Sequence, residues 1–220
     1  MLATSFQVSA VIFDLDGVLV DSRAAVDAAW LEWGSHHGLD PELVLRSFPG
    51  MRTRDAIVVL APETDADVES ARIIERELAL VDRVRPIPGA RALIERLPAG
   101  RWGIATSGTA AIARSRLTFA GLPIPDVFIT AEMVRRGKPD PEVYQQAAAR
   151  LGVAAAECVV FEDAPSGVAA AAAAGCLVVG VLTWAVPGVL ATPYAVQDLR
   201  AVRATPRARS IHFDLDEAAD

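Results

Sequence analysis

Lysine is almost absent from this chain: of its 21 basic residues, all are arginine except Lys138. Cysteine is nearly as scarce, with only Cys158 and Cys176, both in apolar segments and without metal-ligand spacing. Two such residues argue against a disulfide framework or a thiolate metal site, and predict buried, reduced thiols in a cytoplasmic protein. No apolar run reaches the length of a membrane span; the alanine-rich stretch 168–174 is far too short, and Gly175 ends it. The first ten residues carry no basic side chain, and Asp14 and Asp16 break the first apolar run, which argues against a signal peptide. An excess of positive charge is missing as well. The net charge of −7 gives no general attraction for nucleic acid or an anionic membrane, so local cations would have to hold any anionic ligand.

What is present is the composition of a globular protein, 52% hydrophobic and 22% charged over 220 residues. That length allows one domain with an insertion, or two small domains, around a real core. Short, nearly all-apolar runs recur at 10–13, 102–105, 127–129, 159–161 and 177–182. Parallel strands covered on both faces have this pattern. Helical patterns lie between the later runs, over 109–120, 141–151 and 167–174. The alternation predicts an α/β fold with a doubly wound, Rossmann-like parallel sheet. A last unit, "YAVQDLRAV", adds a short strand and a turn of helix.

The interval 21–85 breaks this rhythm. It holds helical candidates at 23–38, 41–47, 54–60 and 65–84, and no buried strand. Trp30, Trp33, Ile73, Ile74 and Leu78 recur there at helical spacing and form its core. "RPIPGA" (85–90) then returns to the α/β part through two prolines and a glycine, as a hinge would. The expected organisation is an α-helical cap, 21–85, inserted into an α/β core made of 1–20 and 86–220.

The tetrapeptide FDLD occurs twice, at 13–16 and 213–216. In the first copy, Asp14 and Asp16 follow a buried strand two residues apart, on one face, and Gly17 permits a sharp bend. The carboxyl ends of strands hold ligands in such sheets, and two crowded carboxylates suit a hard cation such as Mg²⁺. Alone, the pair is equally a solvated strand end. "GIATSGT" (103–109) ends a second strand in Thr106, Ser107 and Gly108, a hydroxyl with small-residue amides that could cradle phosphate or cap a helix. "VVFEDAPSG" (159–167) ends a third in Glu162 and Asp163. Acidic pairs at two strand ends of one sheet point to a divalent metal. Lys138, in "RRGKPDPEVY", is a compact charge able to reach a phosphoryl oxygen and a carboxylate together, or a surface lysine before a turn. In the second FDLD copy Glu217 replaces the bending glycine and "SIHF" makes a poorer strand, so an acidic edge or frayed tail is expected there.

In this order, the four segments around Asp14, Thr106, Lys138 and Asp163 resemble the haloacid dehalogenase superfamily, specifically its Mg²⁺-dependent phosphotransferases with a helical cap. The resemblance spans roughly residues 8–200. "GMRTRDAI", "RWGIATSGT", "FITAEMVRRGKPDPEVY" and "VFEDAPSGV" are similar, more narrowly, to small sugar-phosphate and glycerol-phosphate phosphatases. The resemblance implies that Asp14 is the nucleophile forming an aspartyl-phosphate, and that Asp16 protonates the leaving alcohol and then deprotonates water. It implies that Thr106, Ser107 and Gly108 bind the phosphoryl group and that Lys138 offsets its charge. Asp14, the main-chain carbonyl of Asp16, Asp163 and Glu162, directly or through water, would hold Mg²⁺. Dehalogenases lack the second acid because a halide needs no proton, so Asp16 favours phosphoryl transfer. Arg52 and Arg54 match the family's substrate-specificity loop, where arginine suits forked recognition of oxygens. Met133 and "VLTWAVPG" depart from close relatives.

The expectation is therefore a Mg²⁺-dependent phosphatase of small sugar or polyol phosphates: a cytoplasmic monomer or weak homodimer whose partner is a small phosphorylated metabolite, with no nucleic acid or membrane partner. A β-phosphoglucomutase-like transferase would use the same core residues. A catalytically silent binding module on the same fold is the alternative from another class.

Overall fold

The nearly all-apolar runs form the centre of one sheet because both of their faces are covered. A computed structural model describes residues 4–184 and 188–216. The chain opens with β1 (Thr4–Val8) and β2 (Ala10–Phe13), then a two-residue strand, β3 (Val20–Asp21). Four helices follow: α1 (Arg23–His36), α2 (Pro41–Ser47), α3 (Thr53–Leu60) and α4 (Ala66–Ala79). The short strand β4 (Arg85–Pro86) pairs antiparallel with β3, so the chain leaves and re-enters along one narrow ribbon. Next come α5 (Ala90–Ile94), β5 (Trp102–Ala105), α6 (Ala110–Phe119), β6 (Val127–Ile129) and α7 (Glu142–Arg150). The chain then runs through β7 (Cys158–Glu162), α8 (Pro165–Ala174), β8 (Leu177–Val181) and β9 (Tyr194–Val196). It closes with β10 (Val202–Pro206) and β11 (Ile211–Leu215).

The main sheet has the order β6-β5-β2-β7-β8-β9, and every neighbouring pair is parallel. Alternate residues of each strand point to opposite faces. Val11 and Phe13 of β2 join the core under α5 and α6, whereas Ala10 and Ile12 join the core under α7 and α8. Helices on both faces make the sheet doubly wound. Successive strands run outward from β2 in both directions, β5 to one side and β7 to the other. That reversal opens a crevice at the carboxyl end of β2, which ends in Phe13 with Asp14 next.

The four helices have a hydrophobic core of their own, built around Trp30, Trp33, Val44, Ile57 and Ile73. Local chemistry starts them. Asp40 accepts from the Leu43 amide ahead of α2, with Pro41 in the first turn, and Asp65 accepts from the Asp67 and Val68 amides ahead of α4. The helical pattern read over 65–84 stops at Ala79, because Leu80 and Val84 leave the helical layer and pack into the main core.

The second FDLD copy is neither an edge nor a frayed tail. Its strand β11 is the middle member of a three-stranded antiparallel sheet, β1-β11-β10, with Phe213 opposite both Phe6 and Ala204. Ile211, Phe213 and Leu215 are fully buried, while His212 and Asp214 alternate with them. This is the period-2 pattern of a sheet packed on one side, which is weaker to the eye than an all-apolar run. Phe213 stacks on Phe6 at 5.5 Å and touches Phe161 at 5.9 Å, and Phe161 stacks on Phe13 at 5.3 Å. Both FDLD phenylalanines therefore belong to one aromatic cluster. Phe213→Ala should cost about 3–5 kcal/mol of stability in a urea titration; a loss below about 1 kcal/mol would fit a frayed tail.

Candidate active site

Asp14 is positioned by the sheet itself. Its amide donates to the Phe161 carbonyl at 3.0 Å, which extends the β2–β7 register one residue past β2. The chain then bends at Gly17, whose φ is +77°. A β-carbon there would lie 2.1 Å from Oδ2 of Asp163, so the position needs glycine for space as well as for backbone freedom. The bend carries Asp16 around so that its Oδ1 accepts from Ser22 Oγ and from Arg116 Nη1, both at 2.6 Å. Among the described residues nothing donates to Asp16 Oδ2, and Asp16 lines the central cavity.

The second strand end presents a hydroxyl and one backbone amide. Thr106 is buried; its amide donates to the Ile129 carbonyl, and its Oγ1 accepts from the Gly108 amide at 3.0 Å. Thr109, rather than Thr106 or Ser107, caps α6, by accepting from the Ile112 amide. Capping therefore leaves the Thr106 hydroxyl and the Ser107 amide available at the cavity, which Thr106, Ser107 and Gly108 all line. Ser107 Oγ donates to the Gly50 carbonyl at 2.8 Å and so ties this loop to the helical layer.

Lys138 is 4% exposed, and its ammonium lies 2.6 Å from Asp14 Oδ1 and 2.6 Å from Glu162 Oε1. The chain's only lysine is thus a buried cation between two acids. Glu162 is fully committed: Oε1 also accepts from Tyr144 Oη at 2.7 Å, and Oε2 accepts from the Asp163 and Ala164 amides. A β-carbon on Gly167 would fall 1.6 Å from Glu162 Oε1, so the first turn of α8 closes tightly over it. Glu162 fastens Lys138 to the sheet and to α8. Asp163, by contrast, accepts no side-chain hydrogen bond from the described residues.

Asp14, Glu162 and Asp163 are all buried, with one oxygen of each within 4.8 Å of the others. Three carboxylates and one ammonium leave two negative charges uncompensated when all are ionised. Burial pushes Asp14 up from its ordinary 3.8 to about 7, with Lys138 opposing and Glu162 and Asp16 adding to the rise. Asp163 is likewise raised well above the usual carboxylate range, first by burial and then by Glu162 and Asp14. Burial would lower Lys138, but Asp14 and Glu162 outweigh it and hold the amine cationic. Oxygen donors with an unmet negative charge fit a hard divalent cation, and Asp14 and Asp163 are the pair with capacity to bind one.

The cavity above these groups has a volume of about 260 Å³. Asp14, Asp16, Thr106 and Asp163 line it together with Val26, Trp30, Leu45, Phe48 and Met51 of the helical layer. Trp30 and Phe48 stack at 4.7 Å and 11°. Arg52 and Arg54 do not reach it. Arg52 is forked onto Asp55, and its Nη1 donates to the Val134 and Arg135 carbonyls. Arg54 is exposed and pairs with Asp67 at 2.7 Å. Their loop does reach the cavity, through Phe48, Pro49, Gly50, Met51 and Thr53. Trp184, from the departing "VLTWAVPG" stretch, forms part of the rim; it donates to Asp21 at 3.2 Å, and residues 185–187 lie outside the described residues. Met133 is exposed and away from the cavity.

Sequence reading missed Ser22, Glu77, Arg116 and Tyr144. Arg116 left one trace: it falls in the buried stripe of α6 with Ile112, Ala113 and Leu117, where a charged residue is out of place.

Comparison with known proteins gives this geometry a family. A family model described as haloacid dehalogenase-like hydrolase matches residues 8–175. Hexitol phosphatase A of Escherichia coli K12 is 46% identical over an alignment of 175 residues that covers 77% of this chain and 81% of that protein. Glycerol-1-phosphate phosphohydrolase 2 of Saccharomyces cerevisiae is 37% identical over 192 residues, covering 81% of this chain and 76% of that protein. A hydrolase from Pseudomonas syringae, known as a crystal structure, superposes with a TM-score of 0.75 at 29% identity, over 87% of this chain and 94% of its own. The strand-end acids, the buried lysine and the helical layer over them are thus those of a chain that belongs to the haloacid dehalogenase-like hydrolases.

Proposed function

We propose that this protein is a Mg²⁺-dependent phosphatase that removes the phosphoryl group from small sugar or polyol phosphates through an aspartyl-phosphate on Asp14. That it is a phosphoric monoester hydrolase follows from its family and its named relatives. The finer reading rests on one observation: Asp14, which holds the Lys138 ammonium, and Asp163 open onto a cavity whose lining is mainly carbon. The two cations lining that cavity, Arg23 and Arg116, are each paired with acids. One phosphoryl group therefore has partners here, and a neutral leaving group suits the rest. Apolar side chains can cover the C–H faces of a sugar or polyol.

In the first half-reaction, Asp14 attacks phosphorus, the bond from phosphorus to the leaving oxygen breaks, and Asp16 gives that oxygen its proton. In the second, water attacks phosphorus, Asp16 takes a proton back, and the bond from phosphorus to Asp14 breaks to release phosphate. Lys138 neutralises charge beside Asp14, while the Ser107 amide and Thr106 hold phosphoryl oxygens. Asp14, the Asp16 carbonyl and Asp163 would hold Mg²⁺, which lets an anionic nucleophile approach an anionic ester. Glu162 supports Lys138. Residues 21–85 act as the cap over a core of 1–20 and 86–220, and the two free thiols suit a cytoplasmic protein.

A substrate panel tests this reading. Hexitol phosphates and glycerol phosphates should release inorganic phosphate with Mg²⁺ and lose that activity in a chelator. Isomerisation of glucose 1-phosphate with little free phosphate would replace the phosphatase reading with a mutase.

A further inference from the structure

We propose that Arg116 is a positioning residue that sets the orientation of Asp16, and that Glu77 of the helical layer holds Arg116 in place for it. This rests on the reading of Asp16 as the proton donor to the leaving group. Arg116 is 5% exposed and Glu77 7% exposed, so the pair is buried, at the wall of the cavity. The guanidinium spans two layers: Nη1 donates to Asp16 Oδ1 and Nη2 to Glu77 Oε2, both at 2.6 Å. A planar guanidinium fixed at two corners cannot rotate away from either partner. Ser22 Oγ donates to the same Asp16 oxygen, so two donors lock one side of the carboxylate and leave Oδ2 to the cavity.

Stability does not require this arrangement. Burying Arg116 and Glu77 costs desolvation that well-packed apolar residues avoid, so the pair is weak evidence for a structural role. Position is what it supplies. Asp16 and Glu77 hold different nitrogens of Arg116, Asp16 from the bend after β2 and Glu77 from α4. Proper seating of the helical layer on the sheet thereby becomes a condition for correct aim of Asp16. A closed cavity and an aimed acid are then a single event.

Leaving-group chemistry separates aim from mere structure. p-Nitrophenolate departs without a proton, whereas a polyol alkoxide needs one. Arg116→Met should lower kcat/KM for a hexitol phosphate by about 10²-fold, the scale of general acid catalysis, while kcat/KM for p-nitrophenyl phosphate changes little. Glu77→Gln should shift the ratio in the same direction by less, and Arg116→Lys should restore part of it. In an Asp16→Asn background, Arg116→Met should add almost nothing. If Arg116→Met fails to fold, Glu77→Gln and Arg116→Lys carry the same test. Equal losses on both esters, or full additivity with Asp16→Asn, overturn the positioning role. A parent protein that hydrolyses neither ester overturns the phosphatase reading and this inference together.

Discussion

Asp14→Asn should fold as the parent does and release phosphate from polyol phosphates more slowly by a factor on the order of 10⁴ or more. An amide oxygen is a poor nucleophile, and the change also removes the negative charge that Lys138 and a metal ion would share. Stability should move the other way. The parent carboxyl is buried and pushed up to about 7, so at neutral pH its charged form is held at a cost that a neutral asparagine avoids. A melting temperature equal to or above the parent's, with phosphate release gone, is the expected pair of results. Activity near the parental rate would remove Asp14 from the chemistry.

Lys138→Met should be damaging in both respects. Methionine nearly conserves the volume, but it leaves Asp14, Glu162 and Asp163 buried with no cation beside them. Breaking a buried ion pair by removing one partner costs about 3–5 kcal/mol. The loss should depend on pH with a definite sign. Asp14 has a folded value of about 7 against an ordinary 3.8, so the penalty for its charge is absent below about 4, grows between about 4 and 7, and is constant above. Removing the opposing lysine enlarges that penalty. In urea titrations without divalent ion, the gap between variant and parent should be steady from pH 5 to about 7 and widen from there to pH 8, where the parent's Asp14 has lost its proton and the variant's has not. Activity should fall by about 10²–10³-fold, the scale for loss of one preorganised electrostatic partner. A variant as stable as the parent at pH 8 would show that the three carboxylates are not charged together.

The parts legible in the sequence were those whose cause is local. The runs 10–13, 102–105 and 127–129 are strands with those same bounds, because a short apolar run covered on both faces has few other uses. Asp14 and Thr106 could be found because each follows such a run directly, Glu162 and Asp163 because together they follow the run 159–161, and Lys138 because the chain has no other lysine. Pairings across the fold were not legible. Arg116 lies 100 residues from Asp16 and 39 from Glu77, and nothing in "ARSRLTF" names either partner. For Arg52 and Arg54 the loop was read as part of the site, and the loop does line the cavity. The direction of each side chain was instead decided by a neighbour, Asp55 for Arg52 and Asp67 for Arg54. The strand around Phe213 was missed for a third reason: its alternation is half polar, and the aromatic partners that bury it come from β1 and β7.

The most direct measurement is an acid quench of the enzyme during turnover of a hexitol phosphate with Mg²⁺, followed by mass spectrometry of its peptides. The predicted result is a phosphoryl group on the peptide that carries Asp14, present in the parent and absent in Asp14→Asn. A phosphoryl group on any other residue, or steady turnover in the parent with none on that peptide and undiminished turnover in Asp14→Asn, would contradict hydrolysis through Asp14.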